Sequence, residues 1–258
     1  MEIGISTSCF YPLETELSLK KLGEADVKCT EIFFNSVSEI SSDFVSDLKK
    51  IKDYYGMKIN SVHPFLSFGE SYLLFSNYKR RFNDTMETVR RFFDVSNELD
   101  SKIMIIHGER KPVGIEDELY LQRFTQIAEE GKKQGVYVTQ ENVVNFRSES
   151  PSFLLEMKRY MGELFKMTLD LKQARRAGES ANVFLDLLYE DIVNIHISDF
   201  NKDSDCLTPG TGEFDFKVFF DTLKQKNYNG NCIIELYRKN FDNINDLVLS
   251  KKHIEEML

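Results

Sequence analysis

Residues Asp191–Asp199 read D-I-V-N-I-H-I-S-D, and the reading of this stretch decides the fold. Ile192, Val193, Ile195 and Ile197 make a β-branched apolar run, the composition of a strand buried on both faces of a parallel sheet. His196 interrupts that run near its end. An unpaired polar ring in a buried strand is costly, so His196 is either a core histidine with a satisfied hydrogen bond or a functional ligand.

Working outward, seven further apolar runs can be marked. They begin near Ile3 (I-G-I-S-T), Thr30 (T-E-I-F-F), Ile59 (I-N-S-V-H), Ile103 (I-M-I-I-H), Val136 (V-Y-V-T-Q-E), Phe165 (F-K-M-T-L-D) and Cys232 (C-I-I-E-L). Starts fall about 30 residues apart, enough for a strand, a crossover helix and two loops. Eight such units predict a closed α/β barrel, a single (β/α)8 TIM barrel, and 258 residues fit one such domain over 1–258.

The segments between the runs carry helical patterns. Glu14–Ala25 offers Leu17 and Leu22, and Asp43–Tyr55 offers Phe44, Val45, Leu48 and Ile51. Ser150-Pro151 reads as an N-cap followed by proline at the first helical position, and Asp215 can cap the penultimate helix. The aromatic stretch Leu66–Tyr78 is a candidate lid, and Lys79-Arg80-Arg81 and Arg90-Arg91 read as a solvated helix face.

Composition bounds the function. Hydrophobic residues make up 41% and charged residues 29%, which supports a sizeable core. The net charge of −9 argues against a nucleic-acid partner, because phosphate binding relies on Lys and Arg. No apolar stretch is long enough to span a membrane, and Met1 leads straight into E-I-G-I-S-T without a signal sequence, so a cytoplasmic chain is expected. Cys9, Cys29, Cys206 and Cys232 form no C-x-x-C pair and are read as reduced thiols.

Barrel enzymes place working side chains at the carboxyl ends of the strands. The polar residues that end the runs are His63, His107, Glu141, Asp170, His196 and Glu235, on the third to eighth runs in turn. Three carboxylates and one neutral imidazole converging on a point are explained by a divalent cation, which removes their mutual repulsion; the alternative is that each carboxylate independently caps a loop amide. Oxygen-rich ligation favours Mn²⁺, Mg²⁺ or Co²⁺ over a thiolate-type zinc site, with Zn²⁺ kept open.

The order Glu, Asp, His, Glu on the fifth to eighth runs comes with E-N-V, T-L-D-L-K-Q-A, N-I-H-I-S-D and P-G-T-G-E-F-D-F. Together these resemble the xylose isomerase-like barrel superfamily along the whole chain. That group includes sugar phosphate isomerases and epimerases, ketose 3-epimerases, inosose dehydratases, hydroxypyruvate isomerases and endonuclease IV. The resemblance implies one divalent metal ion held by Glu141, Asp170, His196 and Glu235. It also implies that Glu141 and Glu235 exchange protons with a small polyhydroxy carbonyl substrate, isomerising or epimerising it through a metal-stabilised enediolate. Two alternatives stand beside it: an endonuclease IV-like phosphodiesterase acting on abasic DNA, and a non-catalytic sugar-binding barrel.

Departures from the family pattern are specific. Where many members have D-x-x-H, this chain has Asp170-Leu171-Lys172-Gln173. Gln173 suits a sugar hydroxyl better than a metal, while Lys172 would hold an anionic group or be a solvated loop lysine. The loop Phe200–Thr208 has no histidine, so the endonuclease metal cluster is incomplete. S-V-H-P-F and I-H-G-E leave three roles open for His63 and His107: substrate hydrogen bonds, plain strand ends, or a second metal. Glu109 is a substrate contact or a solvated loop acid, and Pro209-Gly210-Thr211-Gly212 reads as a turn into the Asp215 cap. Phe10, Phe34, Phe65 and Phe68 are expected to form an apolar wall at the mouth.

Overall fold

Eight parallel strands close on themselves in sequence order: β1 (Ile3–Ser6), β2 (Cys29–Phe33), β3 (Lys58–His63), β4 (Ile103–Ile106), β5 (Tyr137–Glu141), β6 (Met167–Asp170), β7 (Ile192–Ile197) and β8 (Asn231–Ile234). This computed structural model describes residues 1–258 except the side chain of Phe68, so the wall position expected for Phe68 lies outside the described residues. β8 pairs back to β1, with Ile3, Gly4 and Ile5 opposite Cys232, Ile233 and Ile234.

β7 is buried on both faces, but the two faces differ. Asn194 receives a hydrogen bond from Asn60 Nδ2 at 2.9 Å, and His196 Nε2 lies 3.0 Å from Glu31 Oε2. Asn60 is on β3 and Glu31 on β2, strands that do not adjoin β7, so these contacts cross the barrel interior. With a side-chain period of two, Ile195 and Ile197 then face the helices. His196 therefore does not interrupt an apolar face. It belongs to a polar interior that also holds Glu31, Ser61, Thr139 and Thr168, whose groups satisfy one another.

Around the barrel, helices supply the apolar layer, with Phe92, Phe93, Phe124, Phe184 and Phe220 fully buried. Ser150 caps helix Pro151–Met161 through Phe153 N, and Asp215 caps Phe216–Gln225 through Val218 N, as their sequence signatures predict. Leu17 departs from expectation: it is 45% exposed, and helix Thr15–Glu24 buries Leu19 with Leu22 instead. A spacing of three keeps two side chains on one helical face, whereas the five-residue step from Leu17 to Leu22 does not.

Leu66–Tyr78 is pinned to the body and does not stand off as a lid. Phe75 is buried and stacks on Tyr120 at 4.4 Å, and the buried Glu70 accepts a hydrogen bond from Gly108 N at 2.5 Å. Gly108 is required there, since its φ is +89° and a Cβ would lie 2.1 Å from the Tyr120 hydroxyl. In the basic clusters, Arg80 is exposed, Arg81 lies 3.7 Å over the Tyr72 ring, and Arg91 bonds Ile40 O at 2.6 Å. All four cysteines are buried free thiols. No helix among the described residues is long and apolar enough to cross a membrane.

Candidate metal centre at the carboxyl ends of the strands

Register brings the predicted ligands together. Asp170 and His196 are paired positions at the ends of β6 and β7, and Glu235 follows Ile234, the partner of Ile197. Glu141 ends β5. One ligand atom from each of Glu141, Asp170, His196 and Glu235 lies within 4.8 Å of the others. His196 Nδ1 is central, 3.6 Å from Glu141 Oε1, 3.7 Å from Asp170 Oδ2 and 3.5 Å from Glu235 Oε2.

His63, His107 and Glu141 form a second cluster that shares Glu141 with the first. His63 Nε2 and His107 Nε2 are 2.9 Å apart, and they lie 3.6 and 2.9 Å from Glu141 Oε2. The inner side chains are almost wholly buried, while His107 at 19% and Glu235 at 14% form the accessible edge.

Hydrogen bonds to the backbone anchor this set. Asn142 accepts from Asp170 N at 2.7 Å and donates to Asp170 O at 3.0 Å, tying the ends of β5 and β6 together. Asp170 Oδ1 is spent on Gln173 N at 2.8 Å, which caps helix Leu171–Arg176 and leaves Oδ2 facing the cluster. Gln140 Nε2 donates to His107 O at 2.8 Å, holding the end of β4.

The residue of this cluster that the strand-end reading missed is Glu31. It sits inside β2, wholly buried, and accepts from Ser61 Oγ at 2.6 Å, Ser6 Oγ at 3.1 Å and the His196 ring. With Nε2 on Glu31, Nδ1 of His196 faces Glu141, Asp170 and Glu235. The signal was present as a lone acid within C-T-E-I-F, an expensive insertion unless paired.

Three buried atoms of the cluster, Glu141 Oε2, Asp170 Oδ2 and His196 Nδ1, make no well-directed hydrogen bond, although His107 and Lys172 lie close to the two oxygens. They belong to three of the four proposed ligands. A buried orphan normally costs about 1–3 kcal/mol, and three in one cluster fit a cation that takes their lone pairs. The field of the cluster favours positive charge. Burial works against the charge on His196, yet Glu31, Glu235, Asp170 and Glu141 hold its pKa well above the ordinary imidazole range. Burial pushes both glutamates up, but His107 and the other imidazoles carry Glu141 well below the usual carboxylate range, and Lys172 with His196 does the same for Glu235.

Lys172 is not solvated: its ammonium lies 3.0 Å from Glu235 Oε2 and 3.2 Å from Asp170 Oδ2. Burial disfavours its charge, and Asp170 and Glu235 more than compensate, raising its pKa well above the usual value. Gln173 uses its carbonyl oxygen on Val144 N at 3.2 Å, leaving its amide NH₂ uncommitted by that contact.

Glu109 is drawn away from the cluster. It is 3% exposed, with Oε2 at 2.5 Å from Arg147 Nε and Oε1 taken by Gly114 N at 2.6 Å and Ile115 N at 3.2 Å. It is neither a solvated acid nor open to a substrate, because Arg147 and the amides of Gly114 and Ile115 hold both its oxygens. The amides of Gly210 and Gly212 in the Pro209–Gly212 turn donate to Asp199 Oδ2 at 2.9 and 2.8 Å, so an internal carboxylate organises this loop.

The apolar wall also shifts. Phe34 packs outward on Phe92 at 5.6 Å and Phe10 on Phe241 at 6.0 Å. Phe33 lies 4.5 Å from His63 and Phe146 lies 5.8 Å from His107, so these rings flank the cluster. A cavity of about 1010 Å³ opens at the other end of the barrel, where Lys58, Ile103, Tyr137, Ile192 and Asn231 begin their strands, away from this chemistry.

An uncharacterized protein of Methanocaldococcus jannaschii is 23% identical over 274 aligned positions, spanning 100% of this chain and 96% of the relative. A crystal structure of a D-tagatose 3-epimerase-like protein superposes with a TM-score of 0.80 at 24% identity, covering 100% of this chain and 97% of that one. A D-psicose 3-epimerase with D-tagatose from Clostridium cellulolyticum H10 gives 0.81 at 14% identity, covering 99% and 97%. At these identities the structural likeness concerns the fold. The model of the xylose isomerase-like TIM barrel family matches residues 19–257, nearly the whole length, and the chain belongs to that family.

Proposed function

We propose that this protein is a divalent-metal-dependent isomerase or epimerase of a small polyhydroxy carbonyl compound, a sugar or sugar phosphate. The observation that carries the reading is the convergence of Glu141, Asp170, His196 and Glu235 at the mouth, with Glu141 Oε2, Asp170 Oδ2 and His196 Nδ1 buried and lacking a well-directed hydrogen bond. The epimerases among the structures of like fold add support.

Glu141, Asp170, His196 and Glu235 would hold the ion, with Mn²⁺, Mg²⁺ or Co²⁺ suited to three oxygens and one nitrogen. Bound there, it would polarise a carbonyl and adjacent hydroxyl and so acidify the intervening C–H bond. Glu141 and Glu235 are both held anionic, and each can take a proton from carbon or return one. If both reach the same carbon from opposite faces, the outcome is epimerisation; return of the proton to the neighbouring carbon isomerises. His63, His107 and the Gln173 amide supply hydrogen bonds to substrate hydroxyls, and Phe33 and Phe146 exclude water from the enediolate.

The test is wash-in of deuterium from D₂O into a panel of ketoses, keto-inositols and sugar phosphates with Mn²⁺-loaded protein. Exchange at a carbon next to the carbonyl is expected, with loss of at least about 10³-fold in E141Q and E235Q. Absence of exchange across the panel overturns the proposal.

A second reading rests on the 2.9 Å approach of His63 and His107 beside Glu141, which suits a second ion and phosphodiester hydrolysis. Against it, Asp199 spends its carboxylate on loop amides and the loop after it lacks histidine. Nicking of abasic duplex with Zn²⁺ would establish it; no nicking at a metal stoichiometry of one removes it.

A further inference from the structure

We propose that Lys172 is an internal competitor for the metal ion, so that loading the site requires its ammonium to be released. The inference rests on the metal reading above. Two ligands offer one oxygen each to the cluster, and Lys172 faces both: Nζ is 3.2 Å from Asp170 Oδ2 and 3.0 Å from Glu235 Oε2. The alternative oxygens point elsewhere. Asp170 Oδ1 accepts from Gln173 N at 2.8 Å, and Glu235 Oε1 faces Ser8 Oγ at 3.5 Å.

The backbone cannot easily yield. Asn142 clamps Asp170 through both its N–H and its carbonyl, and helix Leu171–Arg176 starts at the next residue. What can move is the four-carbon stem of Lys172, whose side chain is 4% exposed. An ammonium and a dication repel each other, so they cannot share the same two oxygens. A receptive surface lies toward solvent: the Tyr237 ring is 5.2 Å from Nζ and the residue is 43% exposed. The protein thus carries its own counter-ion for the metal-free state.

Calorimetric titration of metal-stripped wild type, K172M and K172R with Mn²⁺ tests this. K172M is expected to bind at least about tenfold tighter with unchanged stoichiometry, because the competing charge is gone while the stem volume remains. K172R, which keeps the charge, should stay nearer to wild type. Equal or weaker binding by K172M overturns the proposal and makes Lys172 an organiser of the two carboxylates. If K172M does not fold, K172Q gives the same comparison. Failure of every variant and of wild type to bind Mn²⁺, Mg²⁺, Co²⁺ or Zn²⁺ instead overturns the metal reading itself.

Discussion

Replacing Glu31 by glutamine isolates what a buried acid behind the proposed metal-binding histidine does. Glu31 receives three hydrogen bonds, from Ser61 at 2.6 Å, Ser6 at 3.1 Å and His196 at 3.0 Å. In E31Q the amide oxygen can still accept from His196 and Ser61, while the NH₂ group faces Ser6, whose hydroxyl can turn to accept. Geometry is kept and charge is lost. Removal of such a partner typically weakens metal binding about 10–100-fold, or about 1.4–2.7 kcal/mol. E31A goes further by orphaning three buried donors at roughly 1 kcal/mol or more each, so on the order of 3–5 kcal/mol of stability should be lost. Mn²⁺ calorimetry and urea unfolding measure the two effects separately. A Kd for E31Q within twofold of wild type, with stability preserved, would refute the assignment of Glu31 as the group that orients and charges His196.

Two further outcomes follow from buried acids. Burial raises the Glu70 carboxyl from 4.5 to about 8, so the folded state keeps a proton that the unfolded chain loses. Its contribution is fully present below about pH 4.5 and is lost as pH rises through about 8, an amplitude of roughly 5 kcal/mol. E70Q should flatten the urea-unfolding profile across that window; an unchanged slope would show that Glu70 does not titrate there. R147M should destabilise by about 3–5 kcal/mol, because it strands Glu109 in a buried loop, and the double variant R147M/E109Q should recover part of that. A neutral R147M would mean that Glu109 is free for other contacts.

The barrel and its cluster of strand-end side chains were legible for different reasons. Strand spacing and β-branched runs report the outward face, which packs against helices, so the eight starts fell within two residues of the observed strands. The inward face was hidden, because its polar residues pair across the barrel with partners far apart in sequence, as Asn60 does with Asn194 and Glu31 with His196. Testing only the residues that end each run therefore found Glu141, Asp170, His196 and Glu235 and passed over Glu31. Loop side chains were the least legible. Whether Lys172 enters the cluster or faces solvent depends on the Asp170 cap that starts its helix, and whether Glu109 faces a substrate depends on Arg147, which lies 38 residues away.

Anomalous diffraction from crystals grown with Mn²⁺ tests the central claim most directly. A strong peak is expected among Glu141, Asp170, His196 and Glu235, with Lys172 withdrawn from Asp170 and Glu235. A peak confined to His63, His107 and Glu141, or no peak while Lys172 keeps its contacts at millimolar Mn²⁺, would contradict it.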